Sequence, residues 1–420
     1  MAVMRRVTAA TCLSVWLSVS QLQCCRANEL AIGVLMPLAW TQTQIATTVC
    51  FDLDVRKNFE PAIRARFGEP IVTIPNLHPG VANVTIRMGT TDMQPEVGVA
   101  TAIDFMLGLD GELPISGLVG TVMSSISMPV AVVAAAQKVP QIAYGATSPS
   151  LSNKDNYPYF LRTISPDSIQ ALAFWNWLVT FEVPLAVCIY TTEPYGQGLF
   201  TAVQDLAKLD GQEDRIKGQG LRYMPQNYVF SEARATAELA KGLGSKFIFL
   251  MINSQVSNFL SVLRDLGMLG TGWQILSSTV STQNLEEFPI GYMRWEDVSK
   301  GEKWPQFADI WTELTANDVV GPEARQRYKL DSLRVALEDM RSDVVTDSFF
   351  DDTSLLKTSE SFLFDAGYTF ILAINSLLNK GNNLTDIKGQ LLLNEVCVAD
   401  IQVGEWILRG RDEVCVDVII

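Results

Sequence analysis

The stretch that decides the fold runs from Ile115 to Tyr195. It opens ISGLVGTVMSSISMPVAVVAAAQKVPQIAY (115–144), continues GATSPSLSNKDNYPYFLRTISPDSIQA (145–171) and closes VPLAVCIYTTEPYG (183–196). Short β-branched runs alternate with longer apolar runs, and turns containing Ser, Thr or Pro separate them. The pattern predicts buried strands that alternate with helices. Polar side chains fall at the ends of those elements: Ser124, Thr147, Asp167 and Tyr195.

The same alternation continues on both sides of this stretch. Further strands are predicted at Leu30–Pro37, Ala82–Met88, Leu221–Tyr223, Lys246–Ile252 and Trp273–Leu276. Helices are predicted at Gln94–Leu109, Met128–Gln137, Ser168–Phe181, Gly198–Lys208, Ser231–Leu243 and Ser257–Leu266. Strands that alternate with helices of about 10–15 residues indicate right-handed βαβ units. The expected fold class is therefore α/β, with largely parallel sheets in Rossmann-like lobes.

Other segments depart from this alternation. A helix is predicted over Thr47–Phe67, with Pro61 near its middle, and a strongly apolar helix over Glu360–Leu378. The chain from Leu391 to Ile420 is expected to form two or three strands. The uncharged run Leu113–Gln137 is long enough to cross a bilayer, but its Gly, Ser and Pro residues favour a strand, a turn and a buried helix. We find no other segment long enough to span a membrane.

Length and composition set limits on the class of protein. The chain has 420 residues, of which 48% are hydrophobic and 19% charged, which indicates a folded protein. That length predicts two lobes of roughly 150–200 residues each. The formal net charge of −14 argues against binding to nucleic acid or to an anionic membrane surface.

The N-terminus has the pattern of a secretory signal peptide over residues 1–27, with Arg5-Arg6 before an apolar segment. A secreted or cell-surface location follows from it. Cys188 lies in an apolar strand and is expected to be a buried free thiol, whereas Cys397 and Cys415 could pair. Two N-glycosylation sequons begin at Asn83 and Asn383.

The usual sequence motifs of catalysis are missing. The chain has no GxSxG, Walker-type loop, HExxH, CxxC or complete GxGxxG motif after a strand. The single histidine, His78, excludes most metal sites and general bases that depend on histidine. We therefore expect a binding protein rather than an enzyme, with no cofactor and no metal.

The polar residues of the decisive stretch suit a small zwitterion. Ser124 and Ser125 precede a helix, whose N-terminal N–H groups and dipole favour a carboxylate, and Thr147 can add a hydroxyl donor. Asp167 can accept a hydrogen bond from an ammonium group, and the ring of Tyr195 can face it. Each residue also has an ordinary structural interpretation: helix N-caps at Ser124, Ser125 and Asp167, and turn chemistry at Thr147.

The spacing of these residues is similar to that in a known family of ligand-binding domains. The run VPQIAYGATSPSLSNKDNYPYFLRTISPDSIQALA (139–173) resembles the ligand-binding ectodomains of class C G-protein-coupled receptors, above all metabotropic glutamate receptors. These ectodomains are bilobed members of the type I periplasmic-binding-protein superfamily. The resemblance implies that Ser124 and Thr147 hold an α-carboxylate and that Asp167 and Tyr195 hold an α-amine. The family's further acidic residue falls at Thr279, which would weaken amine binding.

The resemblance also implies a division of the chain. Lobe one is expected to contain residues 28–161 and 304–393, and lobe two residues 162–303, with a hinge between them. Residues 394–420 would form a hairpin and the start of the return to lobe two. The implied partners are a small amino acid-like ligand and a second copy bound through lobe one, with a membrane receptor portion missing from this chain.

The sequence therefore predicts an extracellular domain that captures a small amino acid or a related amine-bearing carboxylate by closing its cleft. Two alternatives remain open at this point. One is a soluble secreted amino-acid-binding protein. The other is a degenerate dimerisation module that binds no ligand. It is consistent with Gly145, where the family often has a serine, and with the loss of the acidic residue at Thr279.

Overall fold

The computed structural model describes most of the chain. The described residues are 28–37, 42–224, 228–252, 256–278, 288–289, 291–295, 301–328, 330, 345–356, 358–398, 401–403 and 406–408. They form two sheets of five parallel strands, each flanked by helices, and one short hairpin. The predicted α/β class is confirmed, and the pairing within both main sheets is entirely parallel.

The first sheet has the strand order β2-β1-β3-β4-β5. Its strands are β1 (Leu30–Met36), β2 (Val84–Thr90), β3 (Ile115–Val119), β4 (Gln141–Ala143) and β5 (Phe160–Arg162). Every residue of β1 is buried, as expected for a strand covered by helices on both faces. The sequence predicted four of these strands and missed β5, whose three residues are too few to show a period.

The second sheet repeats the same topology in the order β10-β9-β8-β6-β7. Its strands are β6 (Ala186–Thr191), β7 (Ile216–Leu221), β8 (Phe247–Met251), β9 (Gln274–Ser277) and β10 (Met293–Arg294). In each sheet the first strand along the chain lies between the second and the third. Such an order reverses the winding direction beside the first strand, and ligands of open α/β sheets bind at that point, beyond the carboxyl ends of the strands.

Among the described residues, helices lie between the strands, and five helices follow β10, two of them short. In chain order they are α1 (Gln42–Lys57), α2 (Pro61–Phe67), α3 (Pro95–Leu107), α4 (Ser124–Gln137), α5 (Asp167–Thr180), α6 (Pro194–Leu209), α7 (Phe230–Gly242), α8 (Val256–Asp265), α9 (Trp304–Glu313), α10 (Ala316–Val320), α11 (Pro322–Tyr328), α12 (Thr358–Asn379) and α13 (Gly389–Val398). The helix expected over Thr47–Phe67 is two helices, because Pro61 starts a new one. Proline is well suited to the first helical position, where its missing N–H costs no hydrogen bond.

Three further sequence predictions of secondary structure were wrong. The strand expected at Leu221–Tyr223 is the end of β7, which begins five residues earlier. The helix expected from Met128 begins at Ser124. The segment Leu391–Val398, expected to be strand, belongs to helix α13, and the described residues that follow it form the hairpin of β11 (Ile401–Val403) and β12 (Trp406–Leu408). A segment of eight residues that is rich in Leu and Val fits a buried helix as well as a strand, so its sequence pattern alone could not decide.

Helix α12 is central to the larger apolar core. It packs on α1, and Tyr368 donates a hydrogen bond to Asp54 Oδ2 at 2.5 Å. Asp54 also accepts from the backbone of Ile71 and pairs with the buried Lys57 Nζ at 3.5 Å, so its charge is compensated inside the protein. Burial raises the pKa of Asp54 against these contacts.

One described helix is long and apolar enough to cross a membrane, and it is Ser359–Asn379 within α12. The expectation that no second segment reaches that length was therefore wrong. Of this helix's most apolar window, 78% is buried inside the protein, as in the core helix of a folded domain. The uncharged run Leu113–Gln137 instead forms strand β3, a turn and helix α4, as the sequence predicted.

Candidate functional site

The predicted carboxylate site lies at the start of helix α4, directly after strand β3. Ser124 is the first residue of the helix and is 3% exposed, and Ser125 is half-buried beside it. The residue that caps the helix is Met123, without a side-chain hydrogen bond, so neither serine is the N-cap. The first N–H groups of a helix have no acceptor within it, which gives this end the donors and the positive dipole that bind an anion.

A hydrogen bond joins Ser124 to the loop after strand β4. The N–H of Ser148 donates to Ser124 Oγ at 3.1 Å. That hydroxyl therefore already accepts from the protein, and its own proton remains available to a second acceptor. Thr147 lies next to Ser148 in this loop and is 8% exposed.

Asp167 is held against the same loop. It is the first residue of α5 and is 1% exposed, and its N–H donates to the carbonyl of Thr147 at 2.8 Å. The N-cap of α5 is Pro166, so the N-cap interpretation of Asp167 is wrong. A carboxylate in the first turn of a helix is favoured by the dipole. The two hydrogen bonds thus connect Ser124, Thr147 and Asp167 in one cluster.

Tyr195 lies at the carboxyl edge of the second sheet, directly after the loop that follows β6. It is the second residue of α6 and is 6% exposed. Its hydroxyl donates to Ser278 Oγ at 2.7 Å. Ser278 is fully buried and follows β9, so the hydrogen bond fixes the ring of Tyr195 at the carboxyl edge of the second sheet. The predicted position Thr279, one residue further on, lies outside the described residues.

The sequence reasoning did not single out Glu193, which sets the start of α6. Its carboxylate accepts from the N–H groups of Tyr195 at 2.8 Å and Gly196 at 3.0 Å, and from the hydroxyl of Thr191 at 3.0 Å. Burial raises the pKa of Glu193 although these donors favour the charged form. The signal in the sequence was a polar residue before proline at a predicted strand-to-helix turn, a typical N-cap pattern.

The two sheets are bridged at their carboxyl edges by direct contacts. Ser148 Oγ donates to the carbonyl of Pro194 at 2.9 Å. Tyr223, after β7, reaches the apolar cluster around β3 and α4, where its hydroxyl lies 3.8 Å from Met123 Sδ. Burial, with a smaller contribution from the Glu193 carboxylate, raises the pKa of Tyr223. Residues from both sheets therefore meet beside the predicted site.

Outside this cluster, the remaining candidates for chemistry are groups of metal ligands and the cysteines. Among the described residues, no group of three or more His, Cys, Asp or Glu side chains could hold a metal ion. Cys188 is a buried free thiol, as predicted, and Cys50 is a second one. Cys397 is disulfide-bonded, and its expected partner Cys415 lies outside the described residues. Burial raises the pKa of both free thiols, which keeps them protonated and unreactive.

The fold and the position of this cluster define a bilobed ligand-binding domain of the periplasmic-binding-protein type I class. A family model described as the receptor family ligand binding region matches residues 69–400. The chain belongs to this family, which includes the class C receptor ectodomains.

A curated relative gives a narrower comparison. Over 86 residues the chain is 38% identical to the metabotropic glutamate receptor-like protein E of Dictyostelium discoideum. The matched part covers 20% of this chain and 10% of the relative's length. The resemblance found in the sequence is confirmed at the level of the family.

Proposed function

We propose that this protein is an extracellular receptor domain that captures a small amino acid, or a related amine-bearing carboxylate, by closing two lobes around it. The observation that carries the proposal is a pair of hydrogen bonds to one loop: the N–H of Ser148 donates to Ser124 Oγ, and the N–H of Asp167 donates to the carbonyl of the adjacent Thr147. Through them an anion-binding helix end and a buried carboxylate come to one place. A zwitterion needs both groups, a donor set for its carboxylate and an acceptor for its ammonium.

The division of roles follows from the chemistry of the groups. The hydroxyl groups of Ser124 and Thr147 and the first N–H groups of α4, including that of Ser125, would hold the carboxylate. Asp167 would accept from the ammonium, and the ring of Tyr195, fixed through Ser278, would cover it. Thr279, the remaining predicted site residue, would supply no charge.

Closure is supported by the contacts between the sheets. In the proposed division, residues 28–161 and 304–393 form lobe one, residues 162–303 form lobe two, and 394–420 begin a return to lobe two. The Ser148–Pro194 and Tyr223–Met123 contacts then join the lobes beside the site. A ligand held by groups from both lobes favours this joined arrangement. A secreted or cell-surface location and pairing of two copies through lobe one are part of the same proposal.

The test is a thermal-shift screen of the secreted protein against the common amino acids. A ligand present at about 100 times its Kd adds about 2.7 kcal/mol to the free energy of unfolding, which gives a clear rise in midpoint. We expect at least one amino acid to raise the midpoint, and its deaminated analogue to bind more weakly.

The variant Asp167→Asn keeps the shape of the side chain and removes its charge. We expect it to weaken binding of the amino acid and to leave the affinity of the deaminated analogue nearly unchanged. Asp205→Asn, at an exposed position on α6, is the matched control and should change neither. Equal weakening of both ligands by Asp167→Asn would contradict its role as amine acceptor. A folded protein that responds to no amino acid would favour the degenerate module.

A further inference from the structure

The two N-glycosylation sequons occupy one end of the first lobe. Asn83 is the exposed last residue of a 3-10 helix, Pro79–Asn83, and the exposed Thr85 follows in β2. Asn383 and Thr385 are both exposed in the turn after α12. Each sequon therefore presents an exposed asparagine with a hydroxyl group two residues further on, which is what N-glycosylation of a sequon requires. The amide of Asn383 also donates to the exposed Asp386 Oδ2 at 3.1 Å.

The segments that carry the two sequons are bonded to each other, although 300 residues separate the asparagines in the chain. The N–H of His78 donates to Asn375 Oδ1 at 2.9 Å, and Asn375 Nδ2 donates to the carbonyl of Pro75 at 2.9 Å. One turn further along α12, Asn379 Nδ2 donates to the carbonyl of Asn76 at 2.8 Å. The segment that leads into this 3-10 helix is thus held against the last turns of α12.

After α12, the chain remains at the end of the first lobe that carries the sequons. The side chain of Asn382 donates to the carbonyl of Leu377 at 2.9 Å, so the turn folds back onto the helix end. Leu378 lies 3.2 Å from the position of a Cβ built on Gly80, within the 3-10 helix of the first sequon. Both asparagines therefore belong to one surface, which we name the sequon pole: residues 79–85 and 380–386.

The sequon pole is on the opposite side of the sheet from the candidate site. Asn83 directly precedes β2, whereas Ser124 and Thr147 follow the carboxyl ends of β3 and β4, which run parallel to it. Seven residues of strand span about 20 Å from one edge to the other. Bulky groups at the pole would leave the contacts between the lobes undisturbed.

We infer that Asn83 and Asn383 both carry N-linked glycans, and that the sequon pole is a glycan-covered surface rather than a contact surface for protein partners. In each reaction the asparagine Nδ2 bonds to the anomeric carbon of an oligosaccharide carried on a lipid pyrophosphate. The bond from that carbon to the pyrophosphate oxygen breaks, the lipid pyrophosphate leaves, and the amide loses one proton. The inference rests on the secretory location in the proposed function and is independent of the ligand.

The test is expression of the full chain in a eukaryotic secretory host, with intact mass measured on protein from the medium before and after peptide-N-glycosidase. We expect two glycans on the wild type, one on Asn83→Gln, one on Asn383→Gln and none on the double variant. Asn156→Gln, an exposed asparagine without a hydroxyl group two residues on, is the matched control and should keep two. Thr85→Ser should keep the first glycan, and Thr85→Ala should lose it.

The outcomes separate this inference from the proposed function. Secreted wild-type protein with one glycan or none would overturn the inference and leave the proposed function standing. Protein that stays inside the cell without glycans would overturn the inference together with the extracellular location.

Discussion

At the scale of single residues, the hydroxyl groups of the site are already oriented before any ligand binds. Ser124 Oγ accepts from the backbone of Ser148, and Tyr195 donates to Ser278. A side chain that the protein itself holds in place loses little further freedom on binding, which increases affinity for a matching ligand.

Thr147→Val should weaken the affinity for the amino acid that the screen identifies. Valine has nearly the same shape but leaves a buried carboxylate oxygen without a donor, at a cost of about 1–3 kcal/mol. That cost corresponds to roughly 5- to 150-fold in Kd, measured by calorimetry. Thr201→Val, at an exposed position on α6, is the control and should change little. An unchanged Kd for Thr147→Val would make Thr147 only a turn residue.

The carboxyl group of Asp365, on α12, should make the stability of the protein depend on pH. Burial raises the pKa of this carboxyl from 3.8 to about 7. The folded state therefore favours the protonated acid. Its contribution to stability is present below pH 4 and is lost as the pH rises through 7.

Asp365→Asn should remove this pH dependence. Since the side chain of Asp365 keeps some exposure, we expect wild type to lose about 1–3 kcal/mol of unfolding free energy between low pH and pH 8.5 through this group. The variant should be more stable than wild type at pH 8.5, as measured by urea denaturation. Asp351→Asn, an exposed change, controls for general charge effects. A variant with the pH profile of wild type would contradict the prediction.

At the scale of elements, helix α6 connects the site to the contact between the lobes. Glu193 caps it, Tyr195 lies in its first turn, and Pro194 accepts the hydrogen bond from Ser148. Gly198, one turn further on, faces the first lobe. A Cβ at this position would lie 2.9 Å from Ser148 Oγ and 3.1 Å from Pro149 Cδ.

Gly198→Ala should therefore lower the affinity for the ligand without lowering the stability of the ligand-free protein. Alanine favours a helix over glycine by about 1 kcal/mol, so stability without ligand should be unchanged or higher. The added methyl group crowds the joined lobes, so affinity for the identified amino acid should fall. Stability is measured by thermal unfolding and affinity by calorimetry. Gly242→Ala, at the end of α7 with no atom within 4 Å of the added Cβ, should leave affinity unchanged. An unchanged affinity for Gly198→Ala would argue against closure through α6.

At the scale of the whole molecule, the proposed function depends on how the lobes meet. Tyr223 extends from the second sheet into the apolar cluster of the first. Burial of its ring would contribute to the joined arrangement and nothing to either lobe by itself.

Tyr223→Ala should weaken ligand binding without unfolding the protein. Loss of the half-buried ring should cost about 1–2 kcal/mol, roughly 5- to 30-fold in Kd. In small-angle scattering, the identified amino acid should reduce the radius of gyration of wild type, and the variant should need more ligand for the same change. Tyr228→Ala, a tyrosine of the second lobe that packs on Phe230, is the control. A radius of gyration that does not respond to the ligand in wild type would contradict closure.

The sequence by itself determined the α/β class, the family and most of the strands. Buried parallel strands such as Phe247–Met251 are continuous apolar runs, and the helices between them have a different period, so both are visible locally. The positions of Ser124, Thr147, Asp167 and Tyr195 at the ends of elements were visible for the same reason.

Only the tertiary structure decided which side chains meet. Strand β7 was placed wrongly because its glycines weaken the local sequence pattern of a strand. One of them, Gly218, is covered by the ring of Phe200 from helix α6, which also stacks on Tyr190. Helix α13 was mistaken for strand because a short segment rich in Leu and Val is ambiguous until its neighbours are known. The partners of Ser124, Tyr195 and Tyr223 lie 24, 83 and 100 residues away. Contacts at such separations depend on the order of the strands and the approach of the lobes, and no local pattern encodes either.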